Sequence, residues 1–321
     1  MSRAHVAMHR FQSQTPEGRL IHGCGRDEPP AEENTMTKIL VTGSTGTIGT
    51  QVVKALAGKG GVSVRAAVRS KEKAGLPAGV EPVAFEYEDA ASMKNALAGV
   101  DALFLLTPFV EDPVPLARAA VDAAKAAGVK RIVKLSAFGA EIDPGISLGR
   151  HHRAAEKHIE ASGLEWTFLR PNNFMQNLIG YYPPGADGVI YLPWGDAACS
   201  FIDARDVGAV AAAALTGSGH AQKAYTITGP AAVTMHDIAR TLSAVSGRKI
   251  TYVDVPEAAA VKAMTDMGLP AWMVSGMMEL HGIDKAGYAA VVNDEVAKLT
   301  GRAPFTFEAF ARDHAEAWRA K

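Results

Sequence analysis

Seven residues, Gly43-Ser44-Thr45-Gly46-Thr47-Ile48-Gly49, constrain this chain more than any other stretch. They follow Lys38-Ile39-Leu40-Val41-Thr42, an apolar run of strand length. They lead into Gln51-Val52-Val53-Lys54-Ala55-Leu56, whose apolar positions have helical spacing. Glycines at three-residue intervals between a strand and a helix make a phosphate-binding turn. Gly43 lets the chain turn sharply, Gly46 lets the backbone approach a pyrophosphate, and Gly49 lets the helix lie close to the strand. The N–H groups and the positive dipole end of that helix face the anion. The expected ligand is a dinucleotide, held by Gly43, Thr45, Gly46, Thr47, Ile48 and Gly49.

Strand and helix patterns alternate after the turn. Val62–Val68 and Val80–Tyr87 read as strands, Asp89–Leu97 as a helix and Asp101–Leu106 as a fourth strand. A long alanine-rich helix, Val114–Ala127, leads through Gly128 into a strand at Arg131–Ser136. A helix over Arg150–Ala161 then precedes a strand at Trp166–Leu169. This order predicts an α/β fold, a doubly wound parallel sheet covered on both faces. Beyond Pro171 the alternation weakens. Short strands are expected within Gly188–Gly195, at Tyr225–Thr228 and at Ile250–Val255. Helices are expected at Asp203–Leu215 and from a capping box at Thr234 to Val245. A last helix places Phe307, Phe310, His314 and Trp318 on one stripe. The expected division is a dinucleotide-binding domain over 36–175 and a smaller substrate-binding portion over 176–321, some of whose helices pack back on the first.

Residues 1–35 read differently. Arg3, Arg10, Arg19 and Arg26 stand among His5, His9 and His22 with little apolar periodicity. A targeting peptide would also be arginine-rich, but amphipathic spacing is missing, and Met36 looks like a start directly before the first strand. A disordered extension is expected there. The whole chain of 321 residues has a net charge of −1 and is 48% hydrophobic, which gives no footprint for nucleic acid or membrane. Its cysteines, Cys24 and Cys199, have no metal-ligand spacing, so no metal is expected and a reduced, cytoplasmic setting fits. A homodimer is left open.

The residue ending the second strand separates the two nicotinamide cofactors. An acidic side chain there takes the ribose hydroxyls of NAD, whereas an arginine accommodates the 2′-phosphate of NADP. The chain carries Arg69, followed closely by Lys71 and Lys73. A planar guanidinium suits a phosphate, so NADPH is preferred over NADH. The competing reading of Arg69 is a solvated surface side chain. By the rule that ligands sit at the carboxyl ends of strands, Glu86 and Tyr87 are placed at the adenine. Thr107 and Pro108 are placed beside the ribose and nicotinamide.

The glycine turn, Leu135-Ser136-Ala137 and the run Thr167-Phe168-Leu169-Arg170-Pro171-Asn172-Asn173-Phe174-Met175-Gln176-Asn177 carry a family resemblance. From Met36 to the C-terminus the chain resembles the NmrA-like branch of the atypical short-chain dehydrogenases. The resemblance implies a Rossmann fold. It also implies either NAD(P)H-dependent reduction of quinones or triphenylmethane dyes, or dinucleotide sensing without turnover.

Catalytic short-chain dehydrogenases carry Tyr-x-x-x-Lys on the helix after strand five, because hydride transfer to an isolated ketone needs an acid for the developing alkoxide. No Tyr-x-x-x-Lys occurs in this chain; His152 and Glu156 stand at those positions, and Ser136 matches the accompanying serine. A quinone, conjugated acceptor or cationic dye accepts hydride without a strong local acid, since its product is delocalised or neutralised. His152, Ser136 and Asn173 are the candidate catalytic residues, His152 because its side chain titrates nearest neutrality. Candidates for the acceptor pocket are Phe138, Phe174, Asn177 and Tyr181, with Tyr182 nearby. Trp272, Met273 and Met277 from an apolar run after Pro270 join them, although such stripes also serve as core. The reading is an NADPH-dependent oxidoreductase acting on a quinone-like or other conjugated small molecule. The alternative is a non-catalytic regulator that senses NAD(P) through a protein partner. A nucleotide-sugar epimerase would need the missing pair.

Overall fold

Apolar runs flanked by turn residues set the strands, and the pleat distributes their side chains to two covered faces. The computed structural model describes residues 36–70 and 75–319. The expected extension over residues 1–35 lies outside the described residues, as do Lys71 and Lys73. The first half runs β1 (Thr37–Val41), α1 (Thr47–Leu56), β2 (Val62–Val68), β3 (Glu81–Ala84), α2 (Ala90–Leu97), β4 (Ala102–Leu105), α3 (Val114–Ala126), β5 (Arg131–Leu135), α4 (Ser147–Ser162) and β6 (Glu165–Pro171). The second half runs α5 (Asn177–Gly180), β7 (Val189–Leu192), β8 (Ala198–Cys199), α6 (Ala204–Thr216), β9 (Lys223–Ile227), β10 (Val233–Thr234), α7 (Met235–Ser246), β11 (Thr251–Asp254), α8 (Glu257–Asp266), α9 (Ala271–Lys285), α10 (Glu295–Thr300) and α11 (Phe307–Asp313).

The main sheet has seven strands in the order β3-β2-β1-β4-β5-β6-β9, all paired in parallel. Ile39, Val41, Phe104, Val133 and Leu169 point to one face, where Val52, Val53 and Leu56 of α1 meet Val207, Val210 and Ala211 of α6. Leu40, Leu103, Leu105, Ile132 and Phe168 point to the other, against α2, α3 and Ile159 of α4. Burial on both faces explains the near-continuous apolar strands. A third core joins β7, β11, α7 and α11 around Trp194, Leu242, Phe310 and Trp318. Among the described residues no helix is long and apolar enough to cross a membrane.

Three details differ from the sequence reading. β3 spans Glu81–Ala84 rather than Val80–Tyr87 because β2, its one partner among the described residues, ends at Val68, opposite Ala84. The strand expected at Tyr225–Thr228 is Lys223–Ile227 and becomes the seventh strand, parallel to β6. The last helix stops at Asp313, and a 3-10 turn over Ala315–Trp318 carries Trp318 back onto Phe310, with ring centroids 6.1 Å apart.

Candidate active site

Strand order reverses between β1 and β4, so a crevice opens at their carboxyl ends. Thr42 ties the two strands there. Its Oγ1 accepts the Leu106 N–H at 2.8 Å and lies 3.1 Å from the carbonyls of both Phe104 and Leu106. The glycine turn follows directly. Gly43 has φ +62°, and the Gly46 N–H donates to the Gly43 carbonyl at 3.0 Å. A Cβ on Gly49 would fall 2.0 Å from the Gly43 oxygen, so only glycine lets α1 start this close to β1. Among the described residues no side chain caps α1, its first turn holds no acidic residue, and Thr45, Gly46 and Thr47 are exposed while Ile48 and Gly49 are buried. An uncapped helix start beneath exposed backbone fits a pyrophosphate.

The rest of this half lies where strand ends place it. Arg69 is exposed one residue beyond β2. Glu86 is exposed beyond β3, with its N–H donating to Ser92 Oγ. Tyr87 is half-buried edge-on to Phe85, and its hydroxyl donates to the Leu106 carbonyl at 2.6 Å. Burial raises the Tyr87 phenol well above its ordinary value, so it stays protonated. Thr107 is half-buried and Pro108 exposed just past β4.

The other half is built from side chains. Glu156 is fully buried on α4 and gathers four donors. Ser136 Oγ reaches it at 2.7 Å, Arg170 at 3.0 and 2.7 Å, and Arg153 at 3.1 Å. Burial pushes this carboxyl up, but the bonds from Arg170 and Ser136 outweigh it and hold it below the usual carboxylate range. Arg170, also 2.9 Å from Glu141, therefore clamps α4 onto β6. Ser136 Oγ donates to the same clamp.

One turn earlier on α4, His152 Nδ1 lies 2.8 Å from the ammonium of Lys134, a β5 residue only 1% exposed. Burial pulls the Lys134 ammonium down to about 7, against an opposing pull from Glu156. Burial first, then the charge of Lys134, holds His152 well below its ordinary range. His152 is thus a neutral imidazole near pH 7.

Helix α9 spans the carboxyl edge. Its 15 residues extend roughly 22 Å. Near its start, Trp272 meets Phe109 of the loop after β4, ring centroids 5.3 Å apart. Midway, Glu279 accepts the Ser147 N–H at 2.7 Å at the start of α4. At its end, Asp284 Oδ1 accepts from Asn173 Nδ2, beyond β6, at 3.0 Å. Asp284 is 2% exposed, and burial pushes it up to about 7 despite the Asn173 bond. Asn173 Nδ2 also lies 3.5 Å from Cys199 Sγ, whose thiol is raised by burial and by Asp284. Tyr182 packs 5.8 Å from His281 of α9.

The structure therefore brings Trp272 at one end of α9 against Phe109, which follows Thr107 and Pro108 in the chain, and ties the other end to Asn173. Met273 and Met277 lie half-buried between. Phe138 is half-buried, and its N–H bonds the Pro171 carbonyl at 3.0 Å, tying the ends of β5 and β6. Phe174 bridges to Ile202, and Asn177 opens the short α5. Tyr181 is 63% exposed and meets only Tyr182 among the described aromatic rings.

The model of the NmrA-like family matches residues 35–311. The chain belongs to the NmrA-like family. An NAD(P)H azoreductase of Xenophilus azovorans is 41% identical over 285 residues, covering 88% of this chain and 99% of its own length. The NADPH-dependent quinone oxidoreductase of Escherichia coli, solved with NADPH, superposes with a TM-score of 0.76 at 29% identity, covering 86% of this chain and 99% of its own. The Citrobacter triphenylmethane reductase complexed with NADP(H) gives a TM-score of 0.76 at 27% identity, with coverage of 86% and 99%.

Lys134, Arg170 and Asp284 carry no role in the sequence reading of this NmrA-like chain. One signal for Lys134 was present: a lysine interrupts the apolar strand Ile132-Val133-Lys134-Leu135, and a lysine buried between sheet and helix requires a partner. Asp284 had none, because its partner Asn173 is 111 residues away.

Proposed function

We propose that the protein is an NADPH-dependent oxidoreductase that delivers hydride to a planar conjugated acceptor, a quinone or a related azo or triarylmethane compound. One observation carries the reading: a glycine cradle with an arginine beyond β2 occupies one half of the carboxyl edge, and an aromatic and methionine helix, α9, covers the other. When bound, NADPH supplies the hydride. The Gly43–Gly49 backbone holds its pyrophosphate, Arg69 its 2′-phosphate, and Glu86 and Tyr87 flank the adenine. Thr107 and Pro108 border the ribose.

The residues around the acceptor orient it and exclude water. Trp272, Met273 and Met277 form the roof, while Phe138, Phe174, Asn177 and Tyr181 border the acceptor. Asn173 fixes the end of α9 through Asp284. An acceptor whose charge is delocalised on reduction suits a site where the Tyr-x-x-x-Lys pair is absent and Glu156 serves as a clamp. A regulator that only senses dinucleotide has no need of an acceptor roof, which favours the reductase.

The test is steady-state oxidation of NADPH, followed by nicotinamide absorbance, with a panel of quinones, azo dyes and triphenylmethane dyes. Turnover on at least one conjugated acceptor and none on simple ketones is expected. Tight NADPH binding without turnover on any acceptor refutes the reading.

A further inference from the structure

We propose that Lys134 is a positioning residue that supplies protons through His152, the two together completing the reduction of neutral acceptors such as quinones. The proposal rests on the reductase reading above. Lys134 Nζ lies 2.8 Å from His152 Nδ1 and gives another hydrogen bond, at 2.8 Å, to the Leu135 carbonyl. An ammonium has only donors, so His152 Nδ1 must accept, which places the ring proton on Nε2. Lys134 is next to last in β5, so the pair stands at the carboxyl edge where ligands of such sheets bind.

The charged groups facing the pair do not consume its proton. Glu156 of α4 faces Lys134 but is already bound by Ser136, Arg153 and Arg170. Arg170 of β6 adds positive charge on the same side, and His151 lies beside His152. Burial brings the Lys134 ammonium to about 7, so its charged and neutral forms are both accessible near neutrality.

Hydride addition to a quinone leaves an oxyanion. The His152 Nε2–H bond breaks as the acceptor O–H bond forms, and Nδ1 takes a proton from Lys134 Nζ. Lys134 is left as a neutral amine, and His152 is neutral with its proton moved to Nδ1. One proton has passed from Lys134 to the acceptor, neutralising the oxyanion. Between turnovers a solvent proton enters at Nε2 while Nδ1 returns its own to Lys134. A cationic triphenylmethane dye needs none of this, because hydride alone converts its carbocation into a neutral product.

That contrast gives the experiment. Lys134→Met keeps the apolar stem and removes the ammonium. Its kcat on a benzoquinone should fall about 100-fold, as for loss of general acid catalysis, while its kcat on a cationic triphenylmethane dye stays within about twofold. Wild-type kcat on the quinone should fall as pH rises through about 7, with the dye profile flat. Equal losses on both acceptors mean a merely structural lysine and overturn the proposal, as does no loss on either. If the variant does not fold, the wild-type protein decides. Slowing in deuterium oxide on the quinone and not on the dye supports the relay, and equal slowing or none overturns it. A wild-type protein that reduces the dye alone has no relay. One that reduces only the quinone, with kcat flat through pH 7, also overturns the proposal. A wild-type protein that reduces neither acceptor overturns the reductase reading itself, and the relay with it.

Discussion

The two halves of the carboxyl edge are made differently. The β1–α1 half is backbone work: a strand, three glycines and an uncapped helix start, all within residues 37–56. The β5–α4–α9 half is side-chain work, bringing together residues as distant as Asn173 and Asp284. A backbone cradle recognises what all dinucleotides share, whereas a side-chain assembly can be re-specified by single substitutions.

Removing the clamp should be the harshest change to the side-chain half. Glu156→Ala leaves the Arg170 guanidinium buried against a void and should cost about 3–5 kcal/mol in denaturant unfolding. A loss under 1 kcal/mol would mean that Arg170 is satisfied by Glu141 alone. The matching blow to the backbone half is Gly49→Ala, whose added Cβ meets the Gly43 carbonyl. About 3 kcal/mol or more of stability should be lost, together with NADPH affinity measured by fluorescence titration.

Asp284 tests the side-chain half by pH. Its carboxyl sits at about 7 folded against an ordinary value of 3.8, so between these values the native state holds the extra proton. Stability therefore declines as pH rises through that window, and the decline is complete above about 7. Asp284→Asn removes the decline, so the variant's advantage over wild type should be roughly 2–3 kcal/mol greater at pH 8 than at pH 5. An equal difference at both pH values would show that Asp284 is not a buried, raised carboxyl.

Smaller effects separate the halves by function. Arg69→Glu should shift the NADPH-over-NADH preference by about 10–100-fold, the worth of a charged hydrogen bond to phosphate, with acceptor KM unchanged. An unchanged preference would return Arg69 to the solvated surface. Trp272→Ala loses the contact with Phe109 and should raise acceptor KM about 2–10-fold, leaving cofactor KM intact. An effect on the cofactor alone would move α9 to the wrong half.

The legibility of the two halves follows their construction. The glycine turn, the succession of strands and helices up to β6 and the arginine after β2 are short-range patterns that a sequence displays directly. The capping box at Thr234 and Asp237 was equally plain and is present in the structure. The missing Tyr-x-x-x-Lys was legible too, and it narrowed the chemistry. His152 and Glu156 were legible in its place, but what they do was not. His152 stands out as the side chain titrating nearest neutrality, yet burial, and after it the charge of Lys134 18 residues away, keeps it neutral. Glu156 stands at the lysine position, yet three other residues make it a clamp.

The sequence by itself determined that this chain binds a dinucleotide on a doubly wound sheet, because glycine spacing and hydrophobic period act over a few residues. Only the tertiary structure decided which ionisable groups face one another. Protonation depends on burial and on neighbours a few ångströms away, and folding brings those neighbours from β5, β6 and α9.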